Sequence, residues 1–306
     1  MFRIVQLKQR EGLAAELLQS LFCGLPRLAN RMAVFVAAGD ESDGPTQRGP
    51  FVYGGFVAPS KYWIESFAPT WEKFVLNDDP PIPFMHMADI RRPSWREQHG
   101  LTAKEAERRV DAATAVIAQA SELCALKTQF DGGHFRDIFG QARIVRFGKQ
   151  PATYRFEPDY VAFLGFAYAA LDCVYHNYPD AEKVDFVVER KTKITHHLGS
   201  FHENLEQGFQ QKGRSELIRL IGDLIPGGKE RVPLQAADVA VWHFRREACQ
   251  EANAEDLKRL GWMFDRRPIM TNGLTLEEIS LVGQRSKSNT VPSPFPPKPK
   301  LRDGAA

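Results

Sequence analysis

The chain has 306 residues, of which 43% are hydrophobic and 25% are charged, and these proportions exclude wholesale disorder and allow one elaborated domain. Forty Lys and Arg against 38 Asp and Glu leave a formal charge of +2. This balance excludes an overall basic field for nucleic acid, so any such binding depends on a local patch.

The four cysteines, Cys23, Cys124, Cys173 and Cys249, are far apart in sequence and form no C-x-x-C pair. This spacing argues against a zinc site and against a disulfide framework, and it favours reduced thiols in a cytoplasmic protein. Charged residues interrupt every apolar run before the roughly 20 residues that a transmembrane helix needs. We therefore expect a cytoplasmic location and no membrane partner, and the sequence leaves the oligomeric state open.

Three segments are predicted along the chain. Residues 1–31 form an N-terminal extension, either a helix or the product of a mis-assigned start, because Met32 directly precedes the first strong strand. Residues 32–288 form the folded domain, with an insertion or loop near 131–157. Residues 289–306 contain five prolines and no apolar periodicity, a composition typical of a flexible tail.

The domain opens with a predicted β-hairpin. The apolar run 33–38 (AVFVAA) reads as a strand that ends at Gly39-Asp40-Glu41, and residues 51–58 (FVYGGFVA) read as its antiparallel partner after a turn containing Gly and Pro. The rest of the domain alternates between helical and strand patterns, which predicts an α/β fold. The later elements are a helix over 60–76, a short strand over 84–89, a helix over 102–120, a strand over 124–130, a helix over 159–177, a strand over 183–190, a helix over 199–212, a strand over 216–225 and a helix over 233–248.

Three acidic residues stand where a metal site could form. Asp40 ends the first strand, Glu189 ends a later strand, and Asp238 lies on the helix after the last predicted strand. Taken singly, Asp40 is better explained as a turn residue and Glu189 as a member of a surface ion pair. Asp238 sits in an apolar helix segment, where an unpaired charge is costly. Hard cations prefer oxygen ligands, so the three acids together predict an Mg²⁺ or Mn²⁺ site.

The chain resembles the domain-of-unknown-function 3800 family, an uncharacterised group with a ribonuclease H-like fold, at three places. The first is Asp40-Glu41-Ser42 with its partner strand over 51–57. The second is Phe84-Met85-His86, and the third is the Leu-Gln-x-Ala-Asp helix over 234–238. These motifs bracket roughly residues 32–250. The resemblance implies a central mixed sheet with an antiparallel N-terminal hairpin and helices on both faces.

The resemblance also implies which residues hold metal. The implied ligands are Asp40, Glu41, Glu189 and Asp238, and Asp185 on the same strand competes with Glu189. The implied activity is that of a metal-dependent nuclease, in which Mg²⁺ or Mn²⁺ supports hydrolysis of phosphodiester bonds in DNA or RNA. In this family the sequence Asp-Glu-Ser is commonly followed by Gly, whereas here Asp43 follows.

Further residues complete the expected site and leave alternatives open. Among the histidines that could carry a proton or contact phosphate (His86, His196, His197 and His243), His86 is the candidate that we favour. Basic and aromatic residues over 136–155 offer contacts to a nucleic-acid partner, although a solvated loop explains them as well. The alternatives are a non-catalytic nucleic-acid or protein-binding module on the same fold and a phosphohydrolase of small phosphate esters.

Overall fold

The computed structural model describes residues 33–41, 50–133, 135, 143–146, 152–155, 158–190, 194, 199–265 and 269–273. The predicted extension over 1–31 and the predicted tail over 289–306 lie outside the described residues. So do His196 and His197, as well as most of the basic segment between 136 and 151.

The predicted α/β class is confirmed, with a mixed six-stranded sheet in the order β7-β6-β1-β2-β3-β8. Strands β1, β2 and β3 pair antiparallel, while β6 is parallel to β1, β7 to β6, and β8 to β3. A separate hairpin, β4-β5, lies in the predicted insertion. The strands are β1 (Ala33–Glu41), β2 (Pro50–Pro59), β3 (Cys124–Asp131), β4 (Arg143–Arg146), β5 (Ala152–Arg155), β6 (Ala181–Glu189), β7 (Ile221–Gly227) and β8 (Ile269–Gly273).

Helices cover both faces of this sheet, and each face has its own apolar core. One face packs against α1, α4, α7 and α8, and the other against α5 and α6. None of the helices in the described part of the chain is long and apolar enough to cross a membrane. The helices are α1 (residues 60–76), α2 (Met87–Arg91), α3 (Pro93–Gln98), α4 (Ala103–Gln119), α5 (Pro158–Asn177), α6 (Phe201–Gln211), α7 (Val232–Ala248) and α8 (Ala254–Phe264), with a 3₁₀ helix at Ser215–Leu220.

The two glycines in β2 allow its neighbours to approach closely. Gly55 pairs with Gly39 of β1, and a side chain there would collide with the carbonyl oxygen of Ala38. A Cβ at Gly54 would lie 3.0 Å from the carbonyl oxygen of Leu126 and 3.2 Å from Val241 Cγ2 of α7. The Gly-Gly pair in the hairpin therefore lets α7 pack close against the strands that end at the acidic residues.

The helix predicted over 60–76 is present, but it alternates between α turns and wider π turns. The π turns flank Ala68–Trp71, the α segment that contains Pro69. Because proline lacks an N–H and its ring crowds the preceding turn, the helix widens around it instead of ending. Trp63 and Trp71 remain buried, and Trp63 Nε1 donates to the carbonyl oxygen of Val36 at 3.0 Å.

Two of the predicted strands are wrong in whole or in part. The short strand expected over 84–89 is absent from this described stretch, where helix Met87–Arg91 begins after the extended His86. The backbone N–H groups of Met85 and Met87 bind side chains of α7 instead of a neighbouring strand. The strand expected over 216–225 starts as the 3₁₀ helix, and β7 begins only at Ile221. Helix α8 and strand β8 were not predicted.

Candidate metal centre

The fold brings Asp40 and Glu189 to one edge of the sheet. Strands β1 and β6 are parallel neighbours, and Ala38 pairs with Val187, so Asp40 is level with Glu189 at the carboxyl ends of the two strands. Crevices at this edge are where open α/β sheets commonly place their functional groups. The first turns of α7 pack over the same edge and add Asp238.

The three carboxylates meet at a small cavity. Its volume is about 20 Å³, which is room for one water molecule or one ion. The structure therefore brings together Asp40, Glu189, Asp238 and His86, four side chains that the sequence indicated. The cavity is lined by Asp40, Met85, His86, Glu189, Lys229, Leu234, Gln235 and Asp238.

The pKa values of Asp40 and Asp238 are both raised. Burial, followed by the charge of Glu189, raises the pKa of Asp40 to about 7. Burial, followed by the charge of Asp40, raises the pKa of Asp238 well above its usual range. The two carboxyl groups share a hydrogen bond. Such an arrangement retains a proton because two like charges cannot both stay ionised at contact distance in a poorly solvated place.

Backbone N–H groups fix the orientation of both acids. Asp40 Oδ1 accepts the backbone N–H of Glu41 at 3.0 Å. Asp238 Oδ2 accepts the backbone N–H of Met87 at 2.5 Å. Asp238 therefore joins α7 to the start of α2 and presents its other oxygen, Oδ1, towards His86, whose Nε2 is 3.9 Å away.

His86 belongs to a triad with Asp89 and Lys229. Its Nδ1 lies 2.9 Å from Asp89 Oδ2, and Lys229 Nζ lies 3.1 Å from the same carboxylate oxygen and 3.2 Å from Nδ1. Burial, followed by the charge of Lys229, lowers the pKa of His86, and Asp89 opposes that shift. In a neutral ring whose Nδ1–H donates to Asp89, Nε2 carries the lone pair and faces Asp238. His86 can thus accept a proton or ligate a metal through Nε2.

Gln235 holds the His86 segment against α7. Its Oε1 accepts two hydrogen bonds at 2.9 Å, one from Trp71 Nε1 and one from the backbone N–H of Met85. Its Nε2 donates to the carbonyl oxygen of Glu230 at 3.2 Å. The Gln of the Leu-Gln-x-Ala-Asp segment is therefore a positioning residue, because it places the backbone that carries His86.

Two of the other predicted acids lie away from this cavity. Glu41 pairs with Tyr53, whose side chain is in the core on the α5 face. Successive strand side chains alternate between faces, so Glu41 is separated by the sheet from Asp238. Asp185 is four residues before Glu189, and its Oδ1 accepts the backbone N–H of Asp223 and lies 3.0 Å from Lys183 Nζ. It braces β7 instead of competing with Glu189.

His243, another histidine considered from the sequence, is fully buried in a charged network between α7 and α8 and does not line the cavity. Its Nδ1 lies 3.2 Å from Asp256 Oδ1. Burial lowers the pKa of His243 to about 4, although Asp256 opposes that shift. The charged residues that influence it are Asp256, Arg259 and Arg91, and Arg246 binds Asp256 at 2.8 Å.

The side chains at the cavity can be judged as ligands for a metal ion. Across the ranges that the structure describes, no three His, Cys, Asp or Glu side chains form a ready-made metal-binding group. The chemistry of the cavity nevertheless fits a hard divalent cation, because Asp40, Glu189 and Asp238 offer carboxylate oxygens. A cation held by Asp40 and Asp238 would neutralise carboxylates whose pKa values are raised in its absence.

Sequence reasoning missed three residues that shape the site. Asp89 follows His86 by three positions at a helix start, a spacing that places two side chains together, but the sequence pattern predicts a strand here. Lys229 follows two glycines at the end of β7, and the turn that these glycines indicate is its only local sequence signal. Gln235 belongs to the Leu-Gln-x-Ala-Asp motif, but the motif alone does not reveal its role.

No family model, no curated protein and no solved structure matches this chain. The resemblance to the domain-of-unknown-function 3800 family therefore stays a prediction that rests on the three quoted motifs.

Proposed function

We propose that the protein is a metal-dependent nuclease that hydrolyses phosphodiester bonds at the cavity between Asp40, Glu189 and Asp238. The observation that carries the proposal is the convergence of these three distant acids on one ion-sized space at the carboxyl edge of the sheet. A nucleic-acid substrate and an Mg²⁺ or Mn²⁺ cofactor belong to this proposal.

The order of the strands supports a ribonuclease H-like fold. Strand β1 lies at the centre, its antiparallel partner β2 on one side and its parallel partner β6 on the other. Helices lie on both faces, and the helix that follows β7 carries the last acid. This is the arrangement that the resemblance implied, with β8 added at one edge.

Each residue has a role that follows from its position. Asp40, Glu189 and Asp238 would hold the cation, which when bound supplies Lewis-acid activation of a phosphate oxygen and of water. His86 presents Nε2 towards Asp238 and is held by Asp89, so it is placed to take or give a proton at the cavity.

A basic side chain at the cavity suits a phosphate group. Lys229 lines the cavity and retains 34% side-chain exposure. Arg92 is 58% exposed and lies 3.4 Å from Asp89 Oδ1, so it adds positive charge beside the triad of His86, Asp89 and Lys229. Positive charge beside carboxylates lets phosphate approach an otherwise repulsive centre.

The first test is Mn²⁺ binding, measured by isothermal titration calorimetry, together with Mn²⁺-dependent cleavage of labelled oligonucleotides. Asp238→Asn is the main variant, because an amide oxygen can still accept the N–H of Met87 and preserve the local fold. Asp223→Asn is the matched control, since Asp223 is 71% exposed and pairs with Lys183. We expect Asp238→Asn to weaken Mn²⁺ binding more than about tenfold and to abolish cleavage, while the control matches the wild type.

Equal Mn²⁺ affinity in both variants would refute the assignment of Asp238. Cleavage of p-nitrophenyl phosphate but not of single-stranded DNA, double-stranded DNA or RNA would replace the nuclease with a phosphohydrolase of small esters. Metal binding or nucleic-acid binding without hydrolysis of any of these substrates would identify a binding module.

A further inference from the structure

Two cysteines that are 49 residues apart in sequence meet in the fold, at a place that shares no lining residue with the acidic cavity. Cys124 is the first residue of β3, and Cys173 lies in α5, which packs on that strand. Their Sγ atoms are 2.8 Å apart, and the two cysteines are not joined by a disulfide bond. A disulfide bond needs a separation of about 2 Å, so less than one ångström of movement would close it.

The two thiols differ in access and in environment. Cys124 is partly exposed, whereas Cys173 is 2% exposed. Asn177, one turn further along α5, donates through Nδ2 to the Cys173 carbonyl oxygen at 2.8 Å, and the same Nδ2 lies 3.8 Å from Cys173 Sγ. The hydrogen-bonding contacts with Cys124 Sγ and Asn177 Nδ2 hold the pKa of Cys173 below its usual value, and burial opposes that shift. Donors aimed at a sulfur favour its thiolate, the form that attacks disulfides.

A large cavity leads to this pair. Its volume is about 1140 Å³, and its lining includes Cys124, Cys173, Asn177, Tyr178 and the half-exposed Trp262. This space admits a molecule of the size of a small peptide disulfide. Cys249, the third cysteine in the described part of the chain, does not line it.

We propose that Cys124 and Cys173 form a reversible modification site, at which a low-molecular-weight disulfide such as oxidised glutathione oxidises them to an intramolecular disulfide. The Cys124 thiolate attacks one sulfur of the reagent, forms a mixed disulfide and releases one thiol. The Cys173 thiolate then attacks Cys124 Sγ, forms the Cys124–Cys173 bond and releases the second thiol. Two cysteine thiols lose two electrons and two protons, and the reagent disulfide gains them as two free thiols.

The Cys124–Cys173 disulfide would link β3, an interior strand of the sheet, to α5, the helix that packs on it. Closing a loop of this length restricts the unfolded chain far more than the folded one. We therefore expect oxidation to raise the thermal midpoint, by at most about 10 °C for a chain of this size. Reduction with dithiothreitol should reverse the shift.

The test incubates the reduced full-length protein with oxidised glutathione, blocks the remaining thiols with N-ethylmaleimide and maps the peptides by mass spectrometry. Wild type and the control Cys249→Ser should both give a Cys124–Cys173 cross-linked peptide that has lost two hydrogen atoms. Cys173→Ser should stop at glutathione on Cys124, and Cys124→Ser should give no cross-link.

The proposal is overturned if Cys124 and Cys173 in the wild type are both recovered as maleimide adducts. A stable mixed disulfide on Cys124 in the wild type, with no cross-link, would also overturn it. The wild-type result alone decides the question, so the outcome does not depend on whether the serine variants fold. It is independent of the nuclease proposal, because Cys124 and Cys173 do not contribute to the acidic cavity.

Discussion

Replacement of Gln235 by Met measures how strongly the fold braces the candidate site. Methionine keeps the volume and the apolar packing of the side chain but removes the acceptor of two hydrogen bonds. Trp71 is completely buried, so no water can replace the lost acceptor for its indole N–H, and the backbone N–H of buried Met85 loses its partner as well. Each unpaired buried donor costs about 1–3 kcal/mol. We expect Gln235→Met to lower the free energy of unfolding by about 4 kcal/mol.

Urea denaturation followed by tryptophan fluorescence measures this change in the free energy of unfolding, and buried Trp71 is one of the five tryptophans that contribute to the signal. Gln207→Met is the matched control, since Gln207 is exposed on α6 and binds only Glu203 on its own helix among the described contacts. Its effect should stay within about 0.5 kcal/mol. A loss below about 1 kcal/mol for Gln235→Met would mean that the two donors find other partners, and the bracing role would be refuted.

Three further predictions concern stability. Burial lowers the pKa of His243 from 6.5 to about 4 in the folded state, so below pH 6.5 the unfolded chain binds the proton more readily, and this residue alone should remove about 2 kcal/mol of stability between about pH 7 and about pH 5. If the stability of His243→Leu falls as steeply with pH as that of the wild type, another group is responsible. Arg109→Lys should lower the free energy of unfolding by about 2–4 kcal/mol, because the buried guanidinium donates to the carbonyl oxygens of Val75, Asp78 and Pro80 and an ammonium cannot reach all three. An unchanged thermal midpoint would contradict this expectation. Thr102→Ala should cost about 1 kcal/mol through loss of the capping box on α4, whereas Thr102→Ser, measured beside it, should be nearly neutral.

The parts of the site that local patterns encode were predictable. An apolar run that ends in an acid predicts a strand that delivers a carboxylate to its end, and both Asp40 and Glu189 follow that rule. Asp238 stood out because its helix is otherwise apolar. These signals are contained within a few residues, so a single sequence is sufficient to show them.

Long-range hydrogen bonds explain what was missed. The segment that carries His86 looked like a strand because it is extended up to that residue. Its N–H groups instead bind Gln235 and Asp238, which are about 150 positions away, and no local pattern reveals such partners. Lys229 and Asp89 meet across 140 positions for the same reason.

Glu41 illustrates a different limit. The two-residue period of a strand already separates Asp40 from Glu41, so the sequence could have shown that one metal site does not easily use both. It could not show which face receives α7. That choice depends on which helix covers which side of the sheet, and here Asp238 arrives on the face of Asp40.

The acids at this cavity are unfavourable for the fold alone, and this supports a chemical role for them. Burial and the charge of Glu189 raise the pKa of Asp40, and burial and the charge of Asp40 raise the pKa of Asp238, so both groups cost stability. Apolar replacements of buried charged groups are often neutral or stabilising. Asp238 does bind the N–H of Met87, yet an asparagine would do so without charge. Because Gln235 independently fixes the same segment, the bracing does not require a carboxylate at position 238. A bound cation would attract both carboxylates and offset the repulsion between them. Mn²⁺ should therefore stabilise the wild type against urea but not Asp238→Asn.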